Sequence, residues 1–199
     1  MFNNQDYILR KKGILSKEKC NEIINFFEDR KDLQRVGLSG VGDAKTTNPT
    51  HKAATEIYLT TYNDNVVFPI ISRSVGECIL EYKKLYPFLD MLSPWSILPT
   101  YKIQRYKPKE GYFSLHCENE GLENEEQYKR ILTWMIYLND VKDGGYTEFP
   151  TQNKKFQPRR GDILVWPAYW THPHRGITSR TQTKYIMTGW HRINTHRLI

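Results

Sequence analysis

The sequence predicts an α+β fold: a double-stranded β-helix, or jelly roll, carried by N-terminal supporting helices. Two observations point there. Helical periodicity occupies the first half of the chain and gives way after Pro94 to short segments of period two. Those segments are separated by turns rich in Gly and Pro, the pattern of a sandwich or jelly roll. On this reading the 199 residues make one domain. Residues 1–97 are mainly helical support and loops, and 98–192 are the jelly-roll core.

The elements follow in order. Tyr7-Ile8-Leu9 centres a short strand. Ser16 is an N-cap, because its hydroxyl can accept from an unpaired first-turn amide. Cys20, Ile23, Ile24 and Phe27 then fall at i, i+3, i+4 and i+7, one face of a helix. Gly37 to Ala53 reads as a long loop. A second helix starts near Pro69, keeps Ile71, Val75, Cys78, Ile79, Tyr82 and Leu85 on one face, and ends before Pro87. Strands are expected over 101–106, 112–117, 131–138, 146–149, 163–166 and 184–191. Turns are expected at Asp143-Gly144-Gly145 and at Pro158 to Gly161.

Composition narrows the function classes. Lys and Arg outnumber Asp and Glu by 29 to 22, a formal charge of +7. The charges are scattered, so they describe a solvated basic surface rather than a nucleic-acid stripe. Cys20, Cys78 and Cys117 are odd in number and lack CxxC spacing, which fits a reducing compartment. Met1 to Lys12 is too polar for a signal peptide, and no apolar run approaches the ~20 residues of a membrane span. The expectation is a soluble, cytoplasmic protein.

The chemistry is concentrated in two segments. His116 and Glu118 stand at i and i+2, so on a strand both side chains share a face while Cys117 turns to the core. Glu118 is followed by an acidic loop, 119–126, which could lie over the site. A second segment, Trp170-Thr171-His172-Pro173-His174-Arg175-Gly176, supplies a distant histidine. His172 and His174 share parity, and spacing alone does not choose between them. Two imidazoles and one carboxylate on one face are the ligand set of non-haem Fe(II) oxygenases. Lys184 supplies a cation, and a buried lysine needs an anionic partner such as the far carboxylate of 2-oxoglutarate.

Taken together, several motifs resemble the 2-oxoglutarate/Fe(II)-dependent prolyl 4-hydroxylase superfamily, in particular its small phage and marine-bacterial members. They are Tyr106…His116-Cys117-Glu118, Arg130-Ile131-Leu132-Thr133…Tyr137-Leu138-Asn139, Gly144 to Pro150, Pro158 to Asp162, His174-Arg175-Gly176 and Lys184-Tyr185…Trp190. The resemblance covers about residues 98 to 192. It implies His116, Glu118 and His174 as iron ligands, His174 being favoured over His172 by its distance from Lys184. It implies Lys184, Tyr106 and Tyr137 as contacts to 2-oxoglutarate, and Trp190 as a substrate-side aromatic at the mouth. The implied cofactors are Fe(II), 2-oxoglutarate and O2, with ascorbate a candidate reductant. The implied reaction hydroxylates a C–H bond, that of a prolyl residue in a peptide or protein, and releases succinate and CO2. One departure stands out: the family usually has His-x-Asp, and here the carboxylate is Glu118. Rival readings are an oxygenase acting on a nucleobase or small metabolite, and a non-enzymatic jelly roll that binds a metal or ligand.

Overall fold

Ser16 caps the first helix as its position predicts. In the computed structural model, which describes residues 6–37, 48–119 and 125–194, the Ser16 hydroxyl accepts from the Lys19 amide at the start of α1 (Lys17–Asp29). Cys20, Ile23 and Phe27 are buried on its inner face. The second helix, α2 (Val67–Leu85), begins two residues before Pro69. The reason is Asp64, whose carboxylate accepts from the amides of Val66, Val67 and Phe68 and so satisfies the first turn. Tyr86 terminates α2, and Pro87 opens a short 3-10 turn. Leu85, expected on the inner face, is exposed.

Thirteen strands are present among the described residues. They are β1 (Leu9–Lys11), β2 (Arg35–Val36), β3 (Lys52–Ala53), β4 (Thr55–Thr60), β5 (Trp95–Ile97), β6 (Thr100–Tyr106) and β7 (Gly111–Tyr112). After a short helix, α3 (Glu125–Tyr128), come β8 (Arg130–Tyr137), β9 (Thr147–Phe149), β10 (Lys154–Phe156), β11 (Ile163–Pro167), β12 (Arg175–Gly176) and β13 (Lys184–Ile193). The large antiparallel sheet runs β1-β11-β8-β13-β6-β4-β2, with β5 paired to the end of β13. The smaller sheet β10-β9-β12 and the ribbon β3-β7 oppose it, linked by a single bridge between His116 and His174. This is the jelly-roll arrangement that the sequence predicts.

The large sheet has two buried faces. One packs against α1 and α2 through Ile57, Tyr101, Ile103, Trp134, Ile136 and Met187. The other faces the small sheet, with Tyr106, Met135, Leu164, Trp166 and Ile186 against Phe149. β8 and β13 approach so closely that a Cβ on Gly189 would stand 2.1 Å from the Trp134 ring, so only glycine fits there. Gly144 and Gly145 take φ of 109° and 71°, confirming the predicted turn before β9.

Several expectations need correction. The first strand lies at 9–11 rather than around Tyr7-Ile8-Leu9. The strand expected over 112–117 is only Gly111–Tyr112; the following residues are irregular apart from the bridge at His116. β4 and β5 fall in segments not read as strands, and the end of the expected loop 37–53 is β3. Residues 38–47 of that loop and 120–124 of the acidic loop lie outside the described residues.

Candidate metal centre and its cavity

His116 and His174 meet because their backbones do. Each amide donates to the other's carbonyl, at 3.0 and 2.8 Å, which makes them a directly opposed antiparallel pair. Side chains of such a pair leave on the same side. Their ring centroids are 4.4 Å apart. Glu118 enters from the same segment, its backbone held by a hydrogen bond from its amide to the Ala168 carbonyl. The carboxylate lies 3.4 Å from His174 Nε2 and 3.7 Å from His116 Nε2. One ligand atom from each of the three lies within 4.8 Å of the others.

The imidazoles are oriented for this. His116 Nδ1 is 3.0 Å from the Ser114 carbonyl and His174 Nδ1 is 3.1 Å from the His172 carbonyl. A carbonyl only accepts, so Nδ1 carries the hydrogen and Nε2 presents its lone pair to the centre. Burial, reinforced by His174, pushes His116 down to about 4, which keeps it neutral. Burial acts upward on the Glu118 carboxyl, but the adjoining imidazoles of His116 and His174 outweigh it and hold the group well below the ordinary range, as a carboxylate. Two imidazole nitrogens and one carboxylate therefore converge on one point, a donor set that suits Fe(II) with coordination positions left open.

His172, two residues away, does not join them. It sits in the turn that follows β11, with Nε2 2.9 Å from the Asp6 carbonyl and Nδ1 2.9 Å from the Thr171 hydroxyl. Of the two histidines that share parity, His174 is the one that opposes His116.

The three residues face a cavity of about 550 Å³ between the two layers. Lys184 lies at one end of its floor, 4% exposed, and donates to the Gly145 carbonyl at 3.1 Å. Among the described residues no carboxylate stands within ion-pair distance of it. Burial alone pushes its ammonium down to about 8. An isolated buried cation of this kind is costly unless an anion joins it. A dicarboxylate cosubstrate fits the centre on this ground as well as on the donor set. Tyr106, opposite Lys184 in the strand register, lies with its ring 4.8 Å below the ammonium. Its hydroxyl accepts from Gln104, so its own hydrogen can be donated into the cavity.

Three expected placements differ. Tyr137 does not line the cavity; its hydroxyl is bonded to Thr147 at 2.7 Å, and it stands one layer behind the wall. Trp190 lines the cavity, but its indole N–H is given to Glu118 at 3.0 Å, so it orients the metal-side carboxylate. Cys117 is half-buried at the cavity rather than packed in the core. Three further residues were not expected at the site. Tyr112 stacks on His116 with centroids 3.6 Å apart. Arg130 lies 3.9 Å over the Trp190 ring, with one nitrogen 3.7 Å from Glu118. Lys102 lines the floor two strand positions before Gln104. The period-two pattern could have found Lys102 and Tyr112, which share parity with Tyr106 and His116; nothing in it announces Arg130.

Comparison with known proteins is consistent with this geometry. Residues 101–192 match the model of the 2OG-Fe(II) oxygenase superfamily. A protein of Acanthamoeba polyphaga mimivirus named "Putative prolyl 4-hydroxylase" is 33% identical over 205 residues, spanning 95% of this chain and 74% of the relative. Among solved structures, the viral collagen prolyl hydroxylase of Paramecium Bursaria Chlorella virus-1, in its 2OG complex, superposes with a TM-score of 0.67. It is 18% identical and covers 95% of this chain and 97% of its own. A Trichoplax adhaerens prolyl hydroxylase, bound to a hypoxia inducible factor peptide fragment, gives a TM-score of 0.67 at 15% identity. It covers 96% of this chain and 85% of its own.

Proposed function

The chain belongs to the 2OG-Fe(II) oxygenase superfamily, and from that premise we propose that it hydroxylates a prolyl residue of a peptide or protein. Its cofactors are Fe(II) and 2-oxoglutarate, with O2 as the oxidant. In this reading His116, Glu118 and His174 hold the iron, and Lys184 receives the far carboxylate of 2-oxoglutarate. The observation that carries it is one cavity holding both parts: three converging ligand atoms, and a buried lysine with no carboxylate partner among the described residues.

Bound iron and 2-oxoglutarate together activate O2 for insertion of one oxygen atom into a C–H bond. The chain supplies the setting. The Ser114 and His172 carbonyls fix both imidazoles, so the metal meets lone pairs rather than N–H groups. Trp190 and Arg130 hold Glu118 in place, which compensates for the additional methylene of glutamate. The Tyr106 hydroxyl and the Lys184 ammonium orient the cosubstrate from the end of the floor opposite Trp190. Tyr137 acts through Thr147 as a positioning residue. Walls of Trp166, Ile186 and Met135 exclude stray water.

The prolyl substrate is favoured over a nucleobase by the named relative and by the peptide-bound structural neighbour. The test is anaerobic titration with Fe(II) and 2-oxoglutarate, then mass spectrometry on proline-containing peptides in air. A visible charge-transfer band, and a product heavier by one oxygen atom on proline, are expected. A band with oxidation only of oligonucleotides or free metabolites would overturn the prolyl assignment.

A further inference from the structure

The floor of the cavity has a second charged cluster, and it is not neutral. Glu56, fully buried, is bonded to Lys52 at 2.6 Å, Gln104 at 2.6 Å and Tyr58 at 2.9 Å. Lys102 stands farther off, 3.5 Å from the same carboxylate oxygen that serves Lys52. Among the described residues, Glu56 is the carboxylate within ion-pair distance of both ammonium groups, and the charge of Glu118 acts on Lys102 from farther off. Both lysines line the cavity. Burial, and then the neighbouring Lys102, push Lys52 down to about 8. Burial works against the charge on Lys102 too, but Glu56 outweighs it and keeps that ammonium protonated.

The cluster lies beside the reacting centre. Lys52 sits 5.0 Å over the Tyr112 ring, which is stacked on His116. Lys102 sits 5.7 Å over the Trp190 ring, whose N–H holds Glu118. Each lysine is one aromatic ring away from a metal-side residue. The cluster is also separate from the Lys184 end. In the register, Lys184 opposes Tyr106 and Thr188 opposes Lys102. That is four residues along the strand, about 13 Å. One dicarboxylate chelating the centre and reaching Lys184 does not reach this second cluster, where Lys102 shares Glu56 with Lys52.

We propose that Lys102, with Lys52 and Glu56 behind it, is a second anion site, which receives a carboxylate carried by the substrate next to the carbon that is oxidised. The substrate class is therefore an acidic prolyl peptide, and the proposal rests on the hydroxylase reading above. The carboxylate has two possible sources, a Glu or Asp side chain and a chain terminus, and the cation would engage either.

The test is anaerobic binding of labelled peptides to the protein loaded with Fe(II) and 2-oxoglutarate, read by fluorescence anisotropy. One pair of peptides carries Glu or Gln beside the proline; a second pair ends just after the proline as acid or amide. The acidic member of at least one pair should bind about tenfold tighter, the scale of one charge-assisted pair. The pair that responds identifies the source. Lys102→Met leaves Lys52 and Glu56 as a neutral pair, and should bring that ratio to near one. Lys102→Gln keeps a polar head at the position without the charge and should lower the ratio in the same way; this arm decides the matter should Lys102→Met fail to fold. Ratios near one in the wild type, or ratios indifferent to both substitutions, overturn the site. Turnover of prolyl peptides without charge preference would overturn the site alone. Lys102-dependent acidic binding without hydroxylation of any peptide would overturn the prolyl reading and leave the site standing.

Discussion

The same strands build two unlike surfaces. On β6, Tyr101 and Ile103 turn toward the helices, and Lys102, Gln104 and Tyr106 turn toward the cavity. On β13, Met187 turns one way, and Lys184, Ile186, Thr188 and Trp190 the other. The helix side is apolar over the sheet centre and stabilises by removing hydrocarbon from water. Its charges lie toward the edge, where Glu28 of α1 is bonded to Arg105 and Tyr185. The cavity side is buried as well, yet it holds three lysines and the carboxylates of Glu56 and Glu118. It stays folded because nearly every charge finds a partner, and where one does not, a ligand is expected. The helix side should therefore govern stability, and the cavity side binding.

That contrast can be broken or sharpened by experiment. His174→Ala should take turnover and Fe(II) binding to background while leaving the thermal transition within a few degrees of wild type. His172→Ala should retain both, since His172 points to the Asp6 carbonyl. Ile103→Ala, on the helix side, should cost about 2–5 kcal/mol in denaturant unfolding. The protein that remains folded should bind 2-oxoglutarate normally. Trp190→Phe keeps the ring but loses the N–H to Glu118; Fe(II) affinity should fall roughly 10–100-fold, the usual effect of removing such an orienting bond.

Lys184→Met separates the two surfaces most directly. It should abolish 2-oxoglutarate binding and yet raise stability by about 1–3 kcal/mol, because it removes an unpaired buried charge. The same cost should appear in the pH dependence of the unliganded wild type. Folding lowers the Lys184 pKa from 10.5 to about 8, so between those values the unfolded chain binds more protons than the native one. Stability then rises with pH across that window, and the penalty is fully present below it. Urea midpoints measured at pH 7.5 and 9.5 should show this slope in wild type and a flatter one in Lys184→Met. The smallest effect is expected from Ser16→Ala, about 1 kcal/mol from the lost cap of α1, with no change in cofactor binding.

Legibility followed the same division. α1 and α2 were readable because a helix face repeats every few residues and Ser16 is a local cap. β6, β8, β11 and β13 were readable because burial imposes alternation or an apolar run. β4 was missed: Glu56 interrupts its apolar pattern, and its burial depends on Lys52 and Lys102 from other strands. His116 and Glu118 were found by their spacing, although the strand assumed to carry them is mostly irregular chain. Tyr137 was misplaced for a related reason: parity says which way a side chain points, not whether an intervening Thr147 already occupies the wall.

The sequence by itself determined the residue types at the centre and the periodicities of the main elements, because both are local properties of the chain. It also determined that Lys184, if buried, would need an anion, since that follows from desolvation alone. Only the tertiary structure decided that His174 rather than His172 faces His116, that Trp190 gives its N–H to Glu118, and that Glu56 is shared between two lysines. Those outcomes depend on which backbone segments lie opposite one another, and segments far apart in the chain are brought into register only by the closing of the two layers.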